Sequence, residues 1–158
     1  MHEGRLVRIE READNLNQID ADVIFIKNID NVIQNHIETI MLYKKALAGI
    51  LLELQQQVFS ILNRIENNEL SENDIPEIIA FVESALNTPI IEDFSKYTLE
   101  NKILYIKELL NRPMRVCGMV KNEGEPGGGP FWVRDGKGNI SLQIIETSQV
   151  DLQNHAQV

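Results

Sequence analysis

Between His36 and Glu66 apolar residues return every three or four positions: Ile37, Ile40, Met41, Ala46, Leu47, Ile50, Leu51, Leu54, Val58, Ile61, Leu62 and Ile65. Side chains at that spacing share one side of a 3.6-residue helix, so the stretch predicts one long α-helix. At 1.5 Å per residue it would reach about 45 Å, which is long for a compact domain of this size. Such a helix either bends, breaks near Gly49, or packs on a partner, and a homo-oligomer through the long helix is one expected partnership.

The flanking residues set the other elements. Asn67-Asn68 favours an end to the long helix, and Ser71-Glu72-Asn73-Asp74 offers acceptors for a second helix from Ile75 to Leu86. Pro76 falls in its first turn, where a missing amide is harmless. Thr88-Pro89 interrupts, and Thr98 is placed to cap a third helix through Leu99, Ile103, Leu104, Ile106, Leu109 and Leu110. Pro113 obliges that helix to end by about Asn111. Ahead of the helices, Asp22-Val23-Ile24-Phe25-Ile26 has the composition of a short buried strand. Behind them, Met114 to Val120, Phe131 to Val133 and Ile140 to Ile145 read as strands, the last two joined by the turn-rich Asp135-Gly136-Lys137-Gly138-Asn139.

The expected fold class is α+β: a short N-terminal strand, a long helix plus two further helices, and a small antiparallel C-terminal sheet. The length suits a single domain over residues 1–151, with a helical middle at 36–111, a sheet at 114–146 and a frayed tail at 152–158.

A net charge of -9 with no dense Lys/Arg cluster repels phosphate backbones and anionic lipid, so neither nucleic acid nor membrane is an expected partner. No apolar segment approaches the roughly 18 residues of a membrane span. The single cysteine, Cys117, lies in the apolar run from Val116 to Val120 and reads as a buried thiol in a reducing, cytoplasmic setting. His2, His36 and His155 are isolated from one another and from Cys117, so no metal site is expected.

Two features can carry chemistry. In Lys121-Asn122-Glu123-Gly124-Glu125-Pro126-Gly127-Gly128-Gly129-Pro130, three adjacent glycines are entropically expensive to order, which suggests unusual dihedrals or the close approach of another group. Their amides can converge on phosphate or carboxylate oxygens, with Lys121, Arg115 and Arg134 adding positive charge, and Asn122 adding a donor. The plain alternative is a flexible hairpin connection, and Glu123 and Glu125 oppose an anion. No Gly-Lys-Ser/Thr ending follows, so the loop is not a P-loop. The second feature is Lys27-Asn28-Ile29-Asp30-Asn31, at the expected end of the first strand, where ligands gather in open α/β sheets. Asp30 can hold a metal or accept from a sugar hydroxyl, and Asn28 and Asn31 can each donate and accept hydrogen bonds, or the same residues can simply cap the long helix and close the turn. These residues alone establish no catalytic activity.

The stretch from Asn15 to Val32 and the stretch from Arg115 to Val133 resemble segments of a bacterial family of unknown function, domain of unknown function 4301, and the likeness runs from about Gly4 to Asp151. That family is in turn distantly similar to sugar nucleotidyltransferases. The resemblance implies a nucleotide-sugar or sugar-phosphate partner, with Ile29-Asp30-Asn31 resembling the Val-Asp-Asn element that ends a strand in those enzymes and Asn31 matching its sugar contact. No cofactor is evident, and magnesium is implied only if the parent protein is a nucleotidyltransferase. Such enzymes hold the triphosphate on an early glycine-rich loop, whereas Arg8-Ile9-Glu10-Arg11-Glu12-Ala13 is charged and glycine-free. A cut-down portion of the larger protein, without turnover on its own, is the expectation.

Overall fold

The computed structural model describes residues 18–26, 35–119, 127–136, 138, 140–151 and 153–154. The chain divides into two compact units, Met1–Ile40 and Met41–Val158. The described elements are three helices, α1 (Ile37–Glu66), α2 (Ile75–Ser84) and α3 (Leu99–Leu110), and two strands, β1 (Gly128–Arg134) and β2 (Ile140–Glu146). Short 3-10 turns occupy Glu92–Lys96 and Thr147–Gln149. The fold is mixed α+β.

Helix α1 runs its 30 residues without a break at Gly49. It stops where the sequence predicts, and the reason is geometric. Asn68 takes the left-handed conformation at φ 56°. The Asn68 amide then donates to the Ile65 carbonyl at 3.1 Å and the Glu69 amide to the Arg64 carbonyl at 2.9 Å. Those two bonds satisfy carbonyls that the last turn would otherwise leave without donors. Helix α2 starts at Ile75 with Pro76 in its first turn and ends two residues sooner than the apolar pattern predicts. Asn87, at φ 48°, turns the chain away. Thr98 caps α3 as predicted, its hydroxyl accepting from the Asn101 amide at 3.4 Å.

The core lies among the helices. Val58 and Ile65 of α1, Ile78 and Val82 of α2, and Ile106 and Leu110 of α3 are buried together with Leu70, Ile75 and Phe94. Phe94 sets its ring 5.4 Å from that of Tyr105, tilted at 53°. Thr88 is buried too, and its hydroxyl is used in both directions: it donates to the Leu86 carbonyl at 3.1 Å and accepts from Arg112 at 3.4 Å. A buried hydroxyl so engaged avoids the cost of desolvation without a partner.

Strands β1 and β2 form an antiparallel hairpin, with Gly128 opposite Glu146 and Arg134 opposite Ile140. Gly138, at φ 88°, supplies the tight turn between them, its amide bonded to the Asp135 carbonyl at 3.0 Å. The observed sheet is narrower than the sequence predicts. Residues 114–119 of the expected strand Met114 to Val120 join no ladder. They run as irregular chain, fixed by contacts that ladder periodicity does not encode: Arg115 donates to the Gln143 side chain, and Gly118 passes so close to α1 that a Cβ there would lie 2.9 Å from Leu47 Cδ1. In the first unit, residues 22–26 likewise form no strand, since β1 and β2 make the one sheet among the described residues. Ile24, Phe25 and Ile26 are exposed, so the burial that would reward an extended run is missing.

Candidate functional site

Lys27, Asn28, Asp30 and Asn31 fall in residues 27–34, and Lys121 and Asn122 in residues 120–126, both outside the described residues. Gly127, Gly128 and Gly129 are described, and each has its own surroundings. Gly128 and Gly129 belong to β1. A Cβ on Gly128 would sit 3.0 Å from the Ile145 carbonyl oxygen across the ladder, so the neighbouring strand already accounts for the bare backbone at that position. At Gly129 the nearest atom is Phe131 Cε2 at 3.7 Å, an ordinary contact. Gly127 has open space around it, and its carbonyl accepts from the Thr147 amide at 3.2 Å and from the Thr147 hydroxyl. Of the cations expected beside the glycines, Arg115 is engaged with Gln143. Cys117 is exposed rather than buried: with no ladder over residues 114–119, no sheet interior exists to receive it.

Among the described residues a connected polar cluster stands at the start of α2. Asp74 accepts from the Ser71 hydroxyl at 2.6 Å and the Ser71 amide at 2.8 Å through one oxygen, and from Arg64 at 2.5 Å through the other. The Ser71 hydroxyl, then Arg64, then the Ser71 amide hold its carboxyl well below the usual carboxylate range. Asp74 itself makes no side-chain cap on α2. Its acceptors point back toward the end of α1, so it fastens the α1–α2 loop, and Lys102 of α3 adds a 3.0 Å pair with Glu72 of the same loop. Every lone pair named is committed to structure, which leaves the carboxylate no spare role as a base.

A shallow groove of about 430 Å³ is lined by Ile65, Asn68, Leu70, Leu99, Glu100 and Ile103, so its lining is mainly apolar with Asn68 and Glu100 as its polar members. No group of three or more His, Cys, Asp or Glu side chains is placed to hold a metal among the described residues.

The most distinctive surface is on α1. Leu42, Ala46, Gly49, Leu52, Gln56 and Phe59 recur at three- and four-residue steps and are all exposed, with Leu42 at 65%, Leu52 at 49% and Phe59 at 59%. Lys45 and Glu53 stand one helical turn to either side of Gly49, and both are exposed. This row is not the apolar arc that leads into the core. Leu42, Leu52 and Phe59 drop out of a periodicity anchored on Ile37 and Leu47, and a second phase of the same helical repeat is the signal that finds them.

Residues 12–158 match the family described as Domain of unknown function (DUF4301). The chain belongs to that family. No curated protein and no solved structure matches this DUF4301 chain. Its function is uncharacterised, and its DUF4301 membership assigns no chemistry to the surfaces described above.

Proposed function

We propose that this chain is a non-catalytic docking module that binds another protein surface through the exposed row on α1. The observation that carries the reading is the placement of Leu42, Leu52 and Phe59, three large apolar side chains on a single helix face pointing away from the core. Scattered apolar residues on a surface are ordinary, but a contiguous row at helical spacing is the form in which one helix presents anchors to a groove or to a second helix. The remainder of the described chain supports that role better than catalysis. Its one strongly perturbed carboxylate, Asp74, is consumed by a loop fastening, and its groove is lined mainly by apolar side chains, with Asn68 and Glu100 the polar members.

The test is the triple variant L42Q/L52Q/F59Q, since glutamine keeps helix propensity while removing the apolar row. In dilute solution its thermal melt should match that of the parent, because exposed side chains contribute within about 0.5 kcal/mol each. Binding of an anilinonaphthalenesulfonate dye to the native chain should fall sharply. A melt lowered by many degrees would mean that these side chains belong to the packing of the chain itself, and the docking reading would fail. Heat on titrating UDP-sugars or sugar phosphates with magnesium would direct attention instead to Lys27, Asn28, Asp30, Asn31, Lys121 and Asn122.

A further inference from the structure

We infer that the occupant of the exposed α1 face is a second copy of the chain, its α1 lying antiparallel across the first with the twofold axis at Gly49. The inference rests on the docking reading and adds the partner. Symmetry about Gly49 exchanges Lys45 with Glu53, since each lies four residues from it. In an antiparallel pair each lysine then faces the glutamate of the other copy, giving two ion pairs from one sequence feature. A parallel pair would set Lys45 against Lys45 and Glu53 against Glu53. The net charge of -9 opposes the approach of two copies over most of their surface, whereas between Leu42 and Phe59 this face carries one charge of each sign, Lys45 and Glu53.

The steric pattern agrees with the charges. Glycine is the poorest residue after proline for the interior of a helix, and Gly49 has nothing within 4 Å of where a Cβ would stand. Among the described residues nothing requires its small size. A second helix crossing at that point does, because the bare positions Gly49 and Ala46 admit the Leu52 side chain of the other copy. At the outer ends, Leu42 meets the Phe59 of the other copy, one helical turn off strict register. Every large apolar residue of the row thereby acquires a counterpart, in an isologous arrangement that closes at two chains.

Sedimentation equilibrium of the full chain tests this with charge exchange. The parent should sediment as a dimer. K45E and E53K should each weaken the dimer about tenfold, because two attractive contacts become repulsive in either variant. The double variant K45E/E53K restores opposite charges across the axis and should return to within about threefold of the parent. A parent that stays monomeric at all accessible concentrations, or a double variant no tighter than the single ones, overturns the inference. If the parent is monomeric while L42Q/L52Q/F59Q still melts like it, the docking reading survives with a different occupant. A collapsed melt removes both.

Discussion

Helix α1 contains two stretches of similar composition and opposite fate. Its last ten residues bury Val58 and Ile65 beneath α2 and α3, while the residues before Val58 include no buried side chain. Both stretches carry the same apolar periodicity and the same secondary structure. What separates them is the helices brought back over the later one: the turn at Asn68 and the fastening at Asp74 return α2 and α3 onto the end of α1, whereas among the described residues the earlier stretch is met by irregular chain where Gly118 passes Leu47. Amphipathic pattern thus specifies which side of a helix wants covering, and only the chain topology specifies whether this chain supplies the cover.

The largest effect expected from that contrast is between Ile106→Ala and Leu52→Ala. Ile106 is fully buried, so its truncation should cost about 2–5 kcal/mol by chemical denaturation. Leu52, half exposed, should cost no more than about 0.5 kcal/mol at monomeric concentrations. Equal losses would show that the exposed stretch of α1 around Leu52 is packed as tightly as the helical core. Next comes Gly128→Val, which drives a side chain against the Ile145 carbonyl at 3.0 Å and should loosen the hairpin by about 1–3 kcal/mol. Faster amide exchange across β2 is the measurement, with Gly127→Val, placed in open space, leaving exchange near its parent rate.

Asp74→Asn should lower the melting midpoint at neutral pH. Because the folded-state pKa is depressed, the contribution of Asp74 is fully present above the unfolded carboxylate value of about 3.9 and is lost as pH falls toward the folded one. Melts of parent and variant should therefore converge as the solution is acidified below that range, and a constant gap would show that the charge is irrelevant. The smallest effect is a gain. Gly49→Ala should stabilise the dilute monomer by about 0.5–1 kcal/mol, since its Cβ meets nothing, while weakening self-association.

The helices were legible because their boundaries are local chemistry. Thr98 caps its own helix, Pro113 forbids continuation, and Asn68 accepts the left-handed turn that ends α1. The hairpin turn was legible for the same reason, through Gly138. The strand expected at Met114 to Val120 was not, because a strand exists only where a distant segment pairs with it, and Arg115 and Gly118 are held by side-chain contacts instead. Of the candidate site, the sequence marked the glycines, yet it did not distinguish a ligand over Gly128 from the neighbouring strand that lies there. The exposed α1 row is not legible in the dominant pattern, because one apolar periodicity masks another on the same helix.

The outer face of the hairpin has a practical consequence. The only indole in the chain, Trp132, lies there at 59% exposure, opposite Leu142 and far from burial in the helical core. Its native emission should already resemble that of a hydrated indole and shift little as denaturant is added. Fluorescence will stay nearly silent as the chain unfolds, so far-ultraviolet circular dichroism, which reads the three helices, is the readout suited to the stability comparisons above.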